Sequence, residues 1–229
     1  MKMRRQSKKE RRQKKRDQIR NKRLIKKYPW LIPRSLVPRS HSWTCKIIKD
    51  YDYTWTELDA LGEGWTKAFG KMMCEEIQQD LEKHDFVKEF RIMEVKEKYG
   101  SARIYTGGVP LESQVHQIID KYEYISQNVC YCCGRPDTPI TNAGWILPLC
   151  KECYEKDSYH HRPYDEIIDP EDDCRIPDSY KIIHGVGDSE WIETIDIKDT
   201  VEKIRRQWEK RENKRQRARE RRLQKISER

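Results

Sequence analysis

From Trp65 to Leu81 the apolar residues Trp65, Ala68, Phe69, Met72, Met73, Ile77 and Leu81 recur every three or four positions, the period of one helix face. The spacing predicts an amphipathic core helix. Leu111, Val115, Ile118, Ile119, Tyr122 and Ile125 repeat the period between Pro110 and Asn128 and predict a second. Between the two, EFRIMEVKEKYGSARIYTGG sets β-branched and aromatic residues on either side of Gly100 and Ser101, which predicts a β-hairpin with a tight turn. Tyr180 to Ile195 reads as short strands, with Gly185 and Gly187 marking a turn. Asp199 or Thr200 is placed to cap a long C-terminal helix that carries Val201, Ile204 and Trp208 on one face. Beyond Trp208 that apolar face ends.

At both ends of the chain the pattern gives way to charge. Residues 1–27 hold 15 Lys and Arg against Glu10 and Asp17, and residues 203–229 hold 13 against Glu209, Glu212, Glu220 and Glu228. The remaining residues are net acidic, so an acidic body carries two basic arms. The N-terminal arm has almost no apolar residue before Leu24, and is expected to be disordered or a helix formed on a partner. Pro29, Pro33 and Pro38 favour an extended path through residues 28–42. The expected order is a basic arm over 1–27, a Pro-rich linker over 28–42, an α+β body over 43–128 and a four-cysteine module over 129–154. An acidic loop over 155–179, short strands over 180–198 and a basic helix or arm over 199–229 complete it. With 35% apolar and 38% charged residues, the core is expected to be modest. No run of about twenty apolar residues suits a membrane span, and no apolar export signal opens the chain.

The strongest chemical signal is a pair of CxxC motifs. Sixteen residues separate the Cys130–Cys133 pair from the Cys150–Cys153 pair, the spacing at which two tight turns supply four sulfurs to one tetrahedral ion. Gly134, directly after the second cysteine, is placed to take a positive φ in the first turn. One structural Zn2+ is expected, with a rubredoxin-like iron site sharing the same ligands. The module reads as a zinc ribbon, or as a treble clef if Tyr154 onward is helical. Cys132 is read as a bystander, His160 and His161 as a solvated pair, and Cys45, Cys74 and Cys174 as structural thiols. A reducing cytoplasm or nucleoid is the expected compartment.

The elements YPWLIPR, YDYTWTELDALGEGWTKAFGKMMCEEI, KEKYGSARIY, IIDKYEYIS and CxxCG followed by GWILPLCKEC resemble a family of uncharacterised proteins encoded by bacteriophages and prophage-like elements. The resemblance covers about residues 28–155. The family's usual hairpin form is KEKYGGLRWY or KEKFGGLRFY, from which Ser101 and Ala102 depart. It implies a phage or mobile-element origin and a zinc-binding knuckle pair at Cys130, Cys133, Cys150 and Cys153. It implies no established reaction.

Three function classes follow. The first is a non-catalytic protein that associates with DNA or RNA, mainly through phosphate contacts from its arms. The candidate residues are Arg4, Arg5, Lys8, Lys9, Arg11, Arg12, Lys14, Lys15, Arg16, Arg211, Lys214, Arg215, Arg217, Arg219, Arg221 and Arg222. The bland alternative is that the arms fold back on the acidic body. The second class is a structural or adaptor protein of a phage or ribonucleoprotein assembly, docking phage or host proteins with Trp30, Trp43, Trp55 and Trp65, and associated with the virion. The third is a zinc-ribbon nuclease using HHRPYDEIIDPEDD, which lacks the strand-and-helix setting of an HNH site. Four thiolates leave no open metal position for water, which favours a structural ion and no enzyme.

Overall fold

The computed structural model describes residues 7–39, 42–156, 162–169, 171, 173–184 and 190–227, with the side chains of 35–45 outside that description. It is an α+β fold of helices and small two-stranded sheets. The chain divides into two units. One comprises Met1–Leu61, Gly70–Glu97 and Ala102–Asp120, the other Gly62–Phe69, Lys98–Ser101 and Lys121–Arg229.

In the first unit the basic N-terminal segment is a helix, α1 (Lys8–Lys27), opened by a capping box between Ser7 and Glu10. The reciprocal Ser7 and Glu10 bonds satisfy two N–H groups that a helix start leaves open. Lacking an apolar stripe, α1 docks through polar residues at helical spacing. Lys14 pairs with Asp52 at 2.9 Å, Gln18 Nε2 donates to the Asp52 carbonyl at 2.9 Å, and buried Asn21 Nδ2 donates to the Tyr53 carbonyl at 3.0 Å. Arg20 reaches Asp59 at 2.7 Å and Lys27 reaches Glu75 at 3.2 Å. Exposed pairs of this kind contribute at most about 1 kcal/mol each, so the buried Asn21 amide matters more to the register. Part of the arm's charge is thus spent on the acidic body, as the bland alternative anticipated.

Residues 28–42 are more than a linker. Tyr28, Trp30 and Leu31 are buried around a 3-10 turn at Pro29–Leu31, and β1 (Arg34–Arg39) pairs antiparallel with β2 (Ser42–Ile47). The Trp30 indole N–H donates to Gln78 Oε1 at 2.8 Å, and its ring meets Phe90 edge-on at 5.4 Å. Three buried aromatic or aliphatic side chains within four residues outweigh the extended bias of the prolines. Trp43 and Cys45 lie outside the described side chains, and Trp55 is partly exposed.

The predicted core helix begins at α2 (Glu63–Trp65), passes a π turn at Thr66–Gly70 and continues as α3 (Lys71–Lys83). Met73, Cys74, Ile77 and Leu81 are buried on it; burial pushes the Cys74 thiol up to about 12, which leaves it inert. β3 (Arg91–Lys98) and β4 (Ser101–Gly107) form the predicted hairpin. Its turn uses Tyr99 and Gly100, both at positive φ, the backbone of a two-residue hairpin loop. α4 (Val115–Ser126) follows, with the Gln114 N–H donating to the Asp80 carboxylate at 3.0 Å.

The second unit continues with β5 (Ile140–Asn142) paired to β6 (Ile146–Pro148), α5 (Lys151–Tyr154), β7 (Ser179–His184) paired to β8 (Trp191–Asp196), and α6 (Lys198–Ser227). The turn expected at Gly185 and Gly187 lies outside the described residues. The acidic tract does more than loop through solvent, because Tyr164, Ile167 and Ile176 within it are buried. α6 begins slightly earlier than Asp199, with the Lys198 N–H on Asp196 Oδ1 at 2.9 Å. Its first turns bury Thr200, Val201 and Ile204. Asp137 then pins the helix: Arg205 Nε and Nη2 donate to its two oxygens at 2.9 and 2.8 Å. Oδ1 also accepts the Ile176 N–H at 2.9 Å. No described helix is long and apolar enough to cross a membrane.

Burial would raise the Asp137 carboxyl, but the bonds from Arg205 and Ile176 and the charge of Arg205 outweigh it and hold it below the ordinary carboxylate range. A carboxyl with a depressed folded pKa stabilises above its unfolded value of about 4, and the contribution is lost as pH falls through the folded value. Asp137→Ala is expected to cost about 2 kcal/mol at neutral pH. The deficit should shrink in acid, as thermal melts of both proteins at the two pH values will show.

Candidate metal centre

The four predicted cysteines converge. Their sulfurs all lie within 4.8 Å of one another, and the Cys133 and Cys150 sulfurs are 3.7 Å apart. A tetrahedron with metal–sulfur bonds of about 2.3 Å has edges of about 3.8 Å. The cluster can therefore hold one metal ion in a four-sulfur shell.

The first pair is shaped by a backbone knuckle. The Cys130 N–H donates to the Arg135 carbonyl at 2.8 Å and the Gly134 N–H to the Cys130 carbonyl at 2.9 Å, with Gly134 at φ +76°. A β-branched or bulky residue at that φ would be strained. The second pair starts α5: Cys150 precedes the helix, and the N–H groups of Cys153 and Tyr154 return to its carbonyl at 2.9 and 3.0 Å. The β5–β6 hairpin joins the pairs, and the Tyr131 N–H binds the Pro148 carbonyl at 2.8 Å. Cys130, Leu149, Cys150, Tyr154, Tyr164 and Ile167 form one buried cluster. The Tyr164 hydroxyl donates to the Leu149 carbonyl at 2.7 Å, so the acidic tract closes one side of the site.

The start of the core helix is also part of the knuckle. The Gly64 N–H donates to the Tyr131 carbonyl at 2.8 Å and the Trp65 indole to the Val129 carbonyl at 2.7 Å. A Cβ on Gly64 would stand 2.2 Å from the Cys130 carbonyl oxygen, and one on Gly134 would stand 2.4 Å from the Gly64 carbonyl oxygen. Two glycines thus let two backbones touch. The Tyr131 ring lies edge-on to Trp65 at 5.0 Å. Sequence spacing alone did not connect residues 62–69 with the cysteines, although a glycine inside a helical pattern signals close backbone approach.

The sulfurs share protons unevenly. Hydrogen bonds from Cys133 and Cys150 hold Cys130 low, at about 2, whereas Cys133 is pushed far up by its bonds to Cys130 and Cys150. Burial, followed by the charge of Cys130, pushes Cys153 up to about 12. A cation replaces the shared protons and removes the repulsion that keeps these thiols protonated.

Of the other predicted residues, Cys132 is exposed and outside the four-sulfur cluster, the Cys174 thiol lies against the Asp137 carbonyl at 3.4 Å, and His160 and His161 lie outside the described residues. So do Arg4 and Arg5. Lys8, Lys9, Arg11, Arg12, Lys15 and Arg16 are exposed on α1, and Lys14 is held by Asp52. Lys214, Arg215, Arg217, Arg219, Arg221 and Arg222 are exposed on α6. Arg211 turns inward, and its Nη1 donates to the Lys67 carbonyl at 2.7 Å. Asp137 and Arg205, which fix α6, were not anticipated; two ordinary charged residues far apart in sequence carry no local signal of pairing.

Comparison with known proteins finds no family that the chain matches, and no curated protein or solved structure similar to it.

Gly64→Ala is expected to cost about 3 kcal/mol, since a backbone must move to admit the methyl group; chemical denaturation of the metal-loaded protein measures it. Because the ion binds thiolates, loading should release protons and affinity should rise with pH. Calorimetric metal titrations in buffers of different ionisation enthalpy give the proton count, and a count of zero would contradict the arrangement.

Proposed function

We propose that the chain is a non-catalytic zinc protein that associates with nucleic acid through its basic helices. The observation that carries the nucleic-acid reading is the outer part of α6. From Asn213 to Ser227 every residue is exposed, and the segment holds Lys214, Arg215, Arg217, Arg219, Arg221, Arg222 and Lys225 against Glu220, with Arg215 also reaching back to Glu212 at 3.4 Å. A helix of about 1.5 Å rise per residue extends this charge over roughly 22 Å, a length that can follow several phosphates. The small side chains of Asn213 and Ala218 leave a shallow basin framed by Lys210, Lys214, Arg217 and Arg221. Such a surface binds by releasing counterions and does not require base readout. The exposed first turns of α1 add cations of the same kind.

Zinc is the ion this reading assigns, because an all-sulfur tetrahedral shell in a small module is characteristic of structural zinc. A knuckle, a hairpin and a second knuckle in that order support the ribbon reading, since α5 ends at Tyr154. The saturated shell leaves no water to activate, which supports a structural role. A phage or mobile-element origin rests on the sequence resemblance.

A second reading, an adaptor in a phage or ribonucleoprotein assembly, is favoured by the β7–β8 hairpin. Ile183 and its register partner Ile192 are both exposed there, beside exposed Trp191. Pull-downs with and without nuclease separate the readings.

If six to ten cations contact phosphate, affinity for labelled DNA or RNA should fall by about 10^3 to 10^5 between 50 and 200 mM salt. Fluorescence anisotropy measures it, and deletion of residues 214–229 should remove most of the binding and flatten the salt slope. Equal affinity with and without that segment would overturn the reading.

A further inference from the structure

Arg211 is poorly placed to bind a phosphate from solution. Its Nη1 is taken by the Lys67 carbonyl, while Nε and Nη2 are buried and meet no acceptor among the described residues. The guanidinium lies 5.7 Å from the Trp208 ring centroid, and Arg215 lies 5.9 Å from the same ring. Burial and then the neighbouring charge of Arg215 push the guanidinium down from its ordinary pKa, and the charge of Cys133 works in the opposite direction. A cation that has given up water, beside a second cation, requires a nearby anion.

The anion is at hand in the cysteine cluster. Four thiolates around a divalent ion carry a net charge of about −2, and over residues 128–156 the formal side-chain charges otherwise balance, with Arg135, Lys151 and Lys156 against Asp137, Glu152 and Glu155. Gly134 is next to Cys133, and a Cβ on it would stand 2.4 Å from the Gly64 carbonyl oxygen and 3.3 Å from the Ala68 methyl. The Lys67 carbonyl that holds Arg211 is adjacent to Ala68 in the chain. Knuckle, helix start and Arg211 therefore meet in one small region of the second unit.

We propose that Arg211 is the charge partner of the metal-bound sulfurs, its free N–H donors directed to Cys133, so that loading the metal fastens α6 at this point. The inference rests on the four cysteines holding a metal and is independent of whether α6 binds nucleic acid. α6 would then be held twice, at Arg205 by the Asp137 carboxylate, and at Arg211 by a sulfur cluster whose charge of about −2 is complete with the ion in place. The exposed stretch from Asn213 onward leaves from this second fastening.

The test is a zinc titration of the reduced, metal-free full chain against a competing chelator. Arg211→Met should bind zinc about tenfold more weakly than the wild type. Arg211→Lys, which keeps the charge and loses the planar fork, should fall between them, and Arg215→Met should match the wild type. Hydrogen exchange supplies a second readout: zinc should slow the amides of residues 205–212 in the wild type and much less in Arg211→Met. Unchanged zinc affinity in Arg211→Met overturns the proposal, as does an equal loss in Arg215→Met. Failure of the wild type to take up one zinc overturns the metal reading itself, a different result. Should Arg211→Met not fold, the Arg211→Lys affinity and exchange data decide, with wild-type values in both counting against the proposal.

Discussion

The contact on which the metal site depends is between two backbones. Gly64 at the start of the core helix and Gly134 at the end of the first knuckle allow main chains to approach where any Cβ would collide with a carbonyl. That approach brings the Gly64 N–H and the Trp65 indole onto the Tyr131 and Val129 carbonyls. The knuckle's outward carbonyls are thereby satisfied, and buried polar groups left unpaired would be costly. The cysteines supply the chemistry of the site, while glycine supplies its shape.

Charge is the second organising influence, and it acts differently at the two ends of the chain. α1 has its cations set among Asp52, Asp59 and Glu75, so a helix without an apolar face is held by complementary charge and one buried amide. α6 is held near its start by apolar residues and the Asp137–Arg205 fork, and on its later turns Arg215 pairs with Glu212 of the same helix. Two segments with similar composition thus have different surroundings. Composition counts charges but does not say which of them are already answered.

The sequence revealed elements whose signal is local. Helical periodicity marked the helices around residues 65–81 and 110–128, alternation marked the β3–β4 hairpin, and CxxC spacing marked the four sulfurs that converge. Gly134 takes the positive φ expected of it. What stayed hidden depends on partners distant in the chain. The prolines of residues 28–42 suggested a linker, yet Trp30 finds Gln78 and Phe90 and becomes core. The acid count of residues 155–179 masked Tyr164 and Ile167, whose burial against the knuckles needs only two side chains in a polar tract. Gly64 and Asp137 were illegible for the same reason, since their importance is set by a carbonyl and a guanidinium that sequence does not place beside them.

The interleaving of the two units along the chain means that the unit holding the four-cysteine cluster is not built from one continuous stretch. All four thiols lie between residues 130 and 153, which has the look of a portable cassette. Yet the unit that contains them also requires Gly62–Phe69, separated from the cysteines by a stretch that belongs mainly to the other unit. Recombination that moved only the cysteine segment into another protein would transfer the ligands without the helix start on which their turn is built. The glycine at position 64 is as much part of the site as any sulfur, because a Cβ there would stand 2.2 Å from the Cys130 carbonyl oxygen.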